Sequence, residues 1–252
     1  LVAVLLAAVT GSAVQAAVVQ DQGLRITVLS QILPYKLPRH GTAPIAVFVS
    51  GHIATPSGSV PPQLQRMTVD VNRRGLLQSK GLPTCTLGQV QPATDARALS
   101  QCQEALVGSG RFWASIVLPD QRPYPTRGRL LIFNGRQNGK PVLFAHIYTQ
   151  KPFATSFVIV FSIAEVSKGP YGTELSASLP QALGTWGFVD RIKLTLRRRY
   201  RIGGEERSYF NAGCPAPSGT NAVVFPLARA EFFFAEQDPV KLAVSKACRV
   251  KE

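Results

Sequence analysis

Short apolar stretches separated by glycine, proline and asparagine run through most of the chain, and many of them alternate apolar with polar residues at a period of two. Residues two apart on an extended backbone share a face, so the pattern predicts strands. They fall at Leu24–Gln31, Ile45–Ala54, Met67–Asn72, Arg111–Leu118, Arg129–Asn134, Pro141–Thr149, Ser156–Ser167, Thr173–Leu179, Phe188–Ile202, Arg207–Asn211, Val223–Ala235 and Val240–Ala247. Asn134-Gly135 and Asn138-Gly139 lie between two such runs and Gly203-Gly204 between two more, which supplies the positive φ that tight hairpins demand. Consecutive strands are therefore expected to pair antiparallel. The fold class is all-β, expected as an antiparallel β-sandwich of about ten to twelve strands.

One segment departs from this period. Thr94–Val107 contains neither glycine nor proline, begins with Thr94 and Asp95 able to cap, and carries Ala96, Leu99, Cys102 and Leu106 at helical spacing. It predicts one short helix, about 94–107, that covers an edge or open end of the sheet. Pro56–Pro62 and Pro119–Pro125 read as surface loops, and residues 17–252 are expected to form a single all-β domain.

The N-terminus changes the picture of compartment. Leu1–Val9 is apolar, and Val14-Gln15-Ala16 offers small residues for cleavage before Ala17, so residues 1–16 read as a secretory signal truncated at its start. No apolar run near the length of a membrane span follows Ala16, and the protein is expected to be secreted or associated with the cell envelope. Four cysteines in an exported chain point to disulfides. Of three possible pairings, Cys85–Cys102 and Cys214–Cys248 join segments already near in sequence and are preferred.

Charge narrows the partners. The formal net charge is +14, a balance that draws anionic polymers or anionic lipid surfaces. In Phe188–Ile202 the odd positions Arg191, Lys193, Arg197, Arg199 and Arg201 share a face with Thr195, while Ile192, Leu194, Leu196, Tyr200 and Ile202 share the other, interrupted by Arg198. Cations about 6.6 Å apart along a strand lie within one Debye length, so their fields add toward a repeating anion. A solvated outer face that discourages edge pairing is the competing reading. Nucleic acid is not expected, because few aromatics interleave these cations.

Two strands, Ser156–Ser167 and the one holding Phe232-Phe233-Phe234, are apolar on both faces. Each is expected to be covered on two sides, either as a central strand between layers or with one face lining a cavity for an apolar ligand. Chemistry is poorly represented: there is no Gly-x-Ser-x-Gly elbow, phosphate loop or His-Glu-x-x-His motif, and His40, His52 and His146 lack ligand-spaced partners. No enzyme activity, cofactor or metal site is expected, and His146 reads as a packed or surface imidazole.

The segments Leu37-Pro38-Arg39-His40-Gly41, Ser176-Ala177-Ser178-Leu179-Pro180, Ala212-Gly213-Cys214-Pro215-Ala216-Pro217 and Cys248-Arg249-Val250 give the chain a further mark. In these it resembles a group of uncharacterised exported all-β proteins of high-GC soil bacteria. The resemblance implies export and one recurrent fold, and carries no activity or catalytic residue. The function expected is non-enzymatic, binding or structural at the envelope, with attachment to an anionic envelope polymer or lipid surface through the basic strand. The alternative is a lipid or apolar-ligand carrier with a cavity between sheets.

Overall fold

The structure, a computed structural model, describes residues 16–117, 122–151, 154–179 and 187–251. It is 65% strand and 7% helix. The strands are β1 (Ala16–Asp21), β2 (Leu24–Leu33), β3 (Lys36–Leu37), β4 (Ala43–Pro44), β5 (Ala46–Ala54), β6 (Leu64–Asn72), β7 (Gly75–Leu77), β8 (Leu106–Ile116), β9 (Tyr124–Gln137), β10 (Lys140–Thr149), β11 (Thr155–Lys168) and β12 (Tyr171–Ser178). They continue as β13 (Gly187–Leu196), β14 (Arg199–Ile202), β15 (Glu205–Ser208), β16 (Phe210–Ala212), β17 (Ala222–Phe234) and β18 (Val240–Val250). Helices α1 (Leu87–Val90) and α2 (Asp95–Cys102) precede β8.

Thirteen strands share one hydrogen-bonded sheet in the order β1-β2-β5-β13-β8-β9-β10-β11-β12-β6-β17-β18-β3. Every pairing in it is antiparallel except β18 with β3. The sheet curls, and with the ladder continuous throughout, the two separable sheets of a sandwich are not distinguished. The described strands number 18, more than the ten to twelve expected. The additions are short or of weak pattern: β3 and β4 have two residues each, β7 three, and β1 adjoins the segment read as a signal.

Alternation decides what the curl encloses. Phe112, Leu130, Ile132, Leu143, Ala145, Ile147 and Ile159 from β8 to β11 point to one side and form the largest apolar cluster. Leu24 and Ile26 of β2 meet Phe232, Phe234, Val240 and Leu242 of β17 and β18 in a second cluster, so strands from opposite ends of the sheet order close on each other. Met67 and Leu179 pack against both clusters and make the interior continuous. Polar contacts reinforce the closure: the Gln22 side chain donates to the Asp238 carbonyl at 3.2 Å and accepts from the Asp238 amide at 3.1 Å.

The helical segment covers the opposite face of β9, β10 and β11. There Leu131, Phe133, Val142, Phe144 and Val158 pack under Val90, Ala98 and Cys102. Thr94 caps α2 by accepting from the Arg97 amide at 3.3 Å. The helix stops earlier than the predicted 94–107, because after a short 3-10 turn Leu106 enters the ladder opposite Phe133. Helix α1 was not anticipated, although Gln89 three residues after Thr86 accepts from the Thr86 amide at 2.9 Å, a signal readable in sequence.

Both preferred disulfides are present, Cys85–Cys102 and Cys214–Cys248, each with Cα atoms 5.8 Å apart. The first ties the loop before α1 to the end of α2, and the second ties the segment after β16 to β18 over a cluster of Leu37, Ala212, Ala216 and Phe225. Asn138-Gly139 forms the β9–β10 turn with φ of 51° and 75°. Asn134-Gly135 forms no turn. It lies within β9, where the bare Gly135 admits the Phe144 ring and the Cys85 backbone.

Candidate anion-binding face

The predicted long strand Phe188–Ile202 is divided. β13 ends at Leu196; the Arg197 amide still donates to the Val107 carbonyl of β8 at 2.9 Å, and the chain then leaves β8 as the Arg198 carbonyl accepts from the Tyr209 amide at 2.9 Å and the Arg198 guanidinium reaches Glu104 at 3.0 Å. Residues 199–202 then pair with β15 in a separate two-stranded sheet. The strand predicted at Arg207–Asn211 is divided likewise, at the fully buried Tyr209.

All five cations of the predicted row, Arg191, Lys193, Arg197, Arg199 and Arg201, are exposed. They form two groups rather than one line. On β14, Arg199 is ion-paired to Glu206 at 3.0 Å, and Arg201 stands opposite Glu206 in the register. On β13, Ile192, Leu194 and Leu196 pack on the interior cluster, which turns Arg191 and Lys193 outward.

The register adds cations beside this second group. Lys193 stands opposite Arg111 of β8, and Arg111 opposite Arg129 of β9. One step along, Arg191 stands opposite Trp113 and Trp113 opposite Arg127, with the Arg191 guanidinium 5.9 Å from the Trp113 ring centroid. Side chains directly opposite on an antiparallel pair have Cβ atoms about 4.5–5.5 Å apart, so like charges there repel. Among the described residues, Arg129 meets Asp95 at 3.7 Å, whereas Arg111, Arg127, Arg191 and Lys193 have no carboxylate within 4.0 Å. The adjacent Asp190 accepts from the Ser115 hydroxyl at 3.0 Å, and burial raises its carboxyl above the ordinary range. Sequence reasoning found Arg191 and Lys193 and missed Arg111, Arg127 and Arg129. The alternation Arg111-Phe112-Trp113 and Arg127-Gly128-Arg129 was legible, but the lateral neighbour of each strand was not.

A second charged cluster has the opposite character. The Asp70 carboxylate, buried on β6, is held by Arg229 at 2.6 Å and Lys168 at 3.6 Å, and Lys168 also bonds Glu174. Arg229 comes from the flanking β17, while Lys168 reaches in from the end of β11 and also neutralises Glu174, which stands opposite Asp70 on β12.

His146 is fully buried under the helical segment, its Nε2 2.9 Å from the Ala93 carbonyl oxygen. Burial lowers its pKa below 6.5, against smaller raising effects of the Ala93 contact and the Asp95 charge. The unfolded chain thus takes a proton near pH 6.5 where the folded chain does not, so stability is full above that pH and declines as pH falls toward the folded value. Urea unfolding at pH 7.5 and pH 5 is expected to show a lower midpoint at pH 5, and His146→Gln a smaller drop. An unchanged drop in the variant would place the acid sensitivity elsewhere.

The apolar strands are covered as their pattern required over part of their length. On β11, Val158 lies under the helices and Ile159 in the interior, while Phe232 and Phe234 of β17 point inward. Phe233 departs from the expectation, lying on the outer face with the Arg66 guanidinium 3.8 Å above its ring. An open cleft of about 520 Å³ lies where Leu24, Val60, Pro62, Val117 and Phe188 converge, and neither Ser156–Ser167 nor Phe232–Phe234 lines it. Among the described residues no group of three His, Cys, Asp or Glu side chains is disposed to hold a metal, and no helix is long and apolar enough to cross a membrane. The residues read as a signal, up to 15, lie outside the described ones, and Ala16 opens β1 opposite Leu29. The two disulfides are consistent with an extracellular or secreted protein.

No family model matches the chain, and neither the curated proteins nor the solved structures contain a significant match to it. The resemblance carried by the short motifs gains no support from these comparisons.

Proposed function

We propose that this is a non-enzymatic exported protein that attaches to an anionic partner at the cell envelope through the outer face of β13, β8 and β9. The observation that carries the reading is the register Lys193–Arg111–Arg129, three cations directly opposed across adjacent strands. Apart from the exposed Arg129–Asp95 pair, folding gains nothing from that arrangement, since like charges opposite one another destabilise a sheet. A multivalent anion reverses the sign, because each phosphate or carboxylate it brings neutralises charges whose fields already overlap within a Debye length of about 8 Å.

Cosedimentation with anionic cell-wall polymer at rising salt tests the reading. Retention is expected to fall as salt rises, and R111Q/R191Q/K193Q to release the protein at lower salt than the parent. Retention indifferent to both salt and substitution would remove the proposal.

A carrier of an apolar ligand is the second reading, for which the structure offers an open cleft of about 520 Å³ beside Leu24, Val117 and Phe188. Its size falls in the range of small-molecule sites. Native mass spectrometry of purified protein would report a bound lipid, and a bare mass would count against it.

A further inference from the structure

The cationic array is one half of a larger outer surface. Two registers run unbroken across six neighbouring strands, from β1 through β2, β5, β13 and β8 to β9. One reads Val18, Thr27, His52, Arg191, Trp113, Arg127, and the other Ala16, Leu29, Ser50, Lys193, Arg111, Arg129. Neither register contains a carboxylate, although Asp190 at the bulge of β13 interacts with Arg191 and His52, and Asp95 pairs with Arg129. Five interstrand spacings give the surface about 24 Å measured around the curl of the sheet.

Its two margins differ in kind. On the β8–β9 side stand the cations with Trp113 among them. On the β1–β2 side stand exposed apolar side chains, Val18 at 48% and Leu29 at 37% exposure, with Leu33 at 38% and Tyr35 at 43% just beyond. Val18 and Leu29 thus lie in the two registers themselves, and Leu33 shares the outward parity of Leu29 along β2. Such residues scattered singly carry no meaning; gathered beside a cationic array they do.

We propose that this surface seats the protein on an anionic phospholipid bilayer, with Val18, Leu29 and Leu33 entering the interfacial zone while Arg111, Arg191 and Lys193 meet headgroup phosphates. The inference rests on the reading of the face as anion-binding and names its partner. A soluble polymer offers charge to the β8–β9 side and nothing to the apolar margin. An anionic bilayer offers both, headgroup charge above an apolar layer, and an indole among cations suits the headgroup region.

Vesicles of phosphatidylcholine, alone and mixed with phosphatidylglycerol, test it by cosedimentation of the full chain. Residues 1–16 are common to parent and variants, so differences between them read the face. Binding is expected to the mixed vesicles and to weaken with salt. Each cation removed is expected to cost about fivefold, so R111Q/R191Q/K193Q binds about a hundredfold less. V18S/L29S, which alters only exposed side chains, is expected to lose about tenfold on vesicles and nothing on soluble polyphosphate, with its melting temperature near the parent's. Polyphosphate binding without vesicle binding overturns the bilayer and leaves the anion-binding face standing; loss of both overturns the two together. Vesicle binding unaffected by V18S/L29S also overturns the bilayer seat.

Discussion

Replacing both Cys214 and Cys248 by serine is expected to lower the stability of the fold by about 4 kcal/mol, on the entropy of closing a loop of this length. The bridge spans 34 residues in sequence. That span includes the whole of β17, so the bridge limits how far the last two long strands can separate in the unfolded chain. It also holds a cluster that does not belong to the main interior: Leu37 from β3, Ala212 from β16 and Phe225 from β17 are gathered around the two sulfurs. Domains are stable by only about 5–15 kcal/mol, so the loss is a large fraction of the total. Denaturant unfolding of the double variant measures it, with a midpoint well below the parent's expected; an unchanged midpoint would mean that burial alone holds β3 and β16 in position. The Cys85–Cys102 bridge closes a shorter loop, for which about 3 kcal/mol is expected by the same reasoning.

Gly110→Ala is the second large effect. Gly110 lies on β8 between Leu194 of β13 and Leu130 of β9, and a Cβ built there meets the Lys193 carbonyl and comes within 2.9 Å of the Leu194 Cα. Both obstacles are backbone, so no rotamer change relieves them. Strand β13 must move away from β8, at a cost of about 3 kcal/mol. The displaced pairing is the one that brings Lys193 beside Arg111, so the variant is also expected to bind an anionic partner more weakly than its loss of stability explains. Gly88→Ala is the contrast: nothing lies within 4 Å of its would-be Cβ, and its effect on the unfolding midpoint is expected to be small. Equal midpoints for the two variants would contradict the close approach of β13 to β8.

The sequence made the parity of the strands legible far better than their neighbours. Leu143, Ala145 and Ile147 on one side of β10 and Val142, Phe144 and His146 on the other follow from spacing alone. Local turns were legible where the flanking residues were alternating, as at Gly203-Gly204, whose φ values are 56° and 84°. Gly135 was misread as a turn because a glycine that admits a close neighbour and a glycine that reverses the chain look alike until the neighbour is known. Here the neighbours are Phe144 from the next strand and Cys85 from fifty residues earlier.

The same limit hid half of the candidate face. Arg191 and Lys193 advertise themselves by alternation, whereas the placing of Lys193 beside Arg111 depends on β13 entering the sheet between β5 and β8, a long-range choice that no local pattern records. The apparent continuation of the row through Arg197, Arg199 and Arg201 failed for a local reason. Past the Arg197–Val107 bond, the Tyr209 amide takes the Arg198 carbonyl and Glu104 takes its guanidinium, and the chain turns away from β8 before its alternation is spent.

The most direct test compares two variants of equal charge, R111Q/R191Q/K193Q and R197Q/R199Q/R201Q, in titrations with an anionic polymer over a range of salt. The slope of log affinity against log salt counts the cations engaged. If the lateral array is the site, the first variant loses most of the affinity and flattens the slope, while the second stays close to the parent. Equal losses in the two variants would mean that net charge, and not the register of β13, β8 and β9, governs attachment.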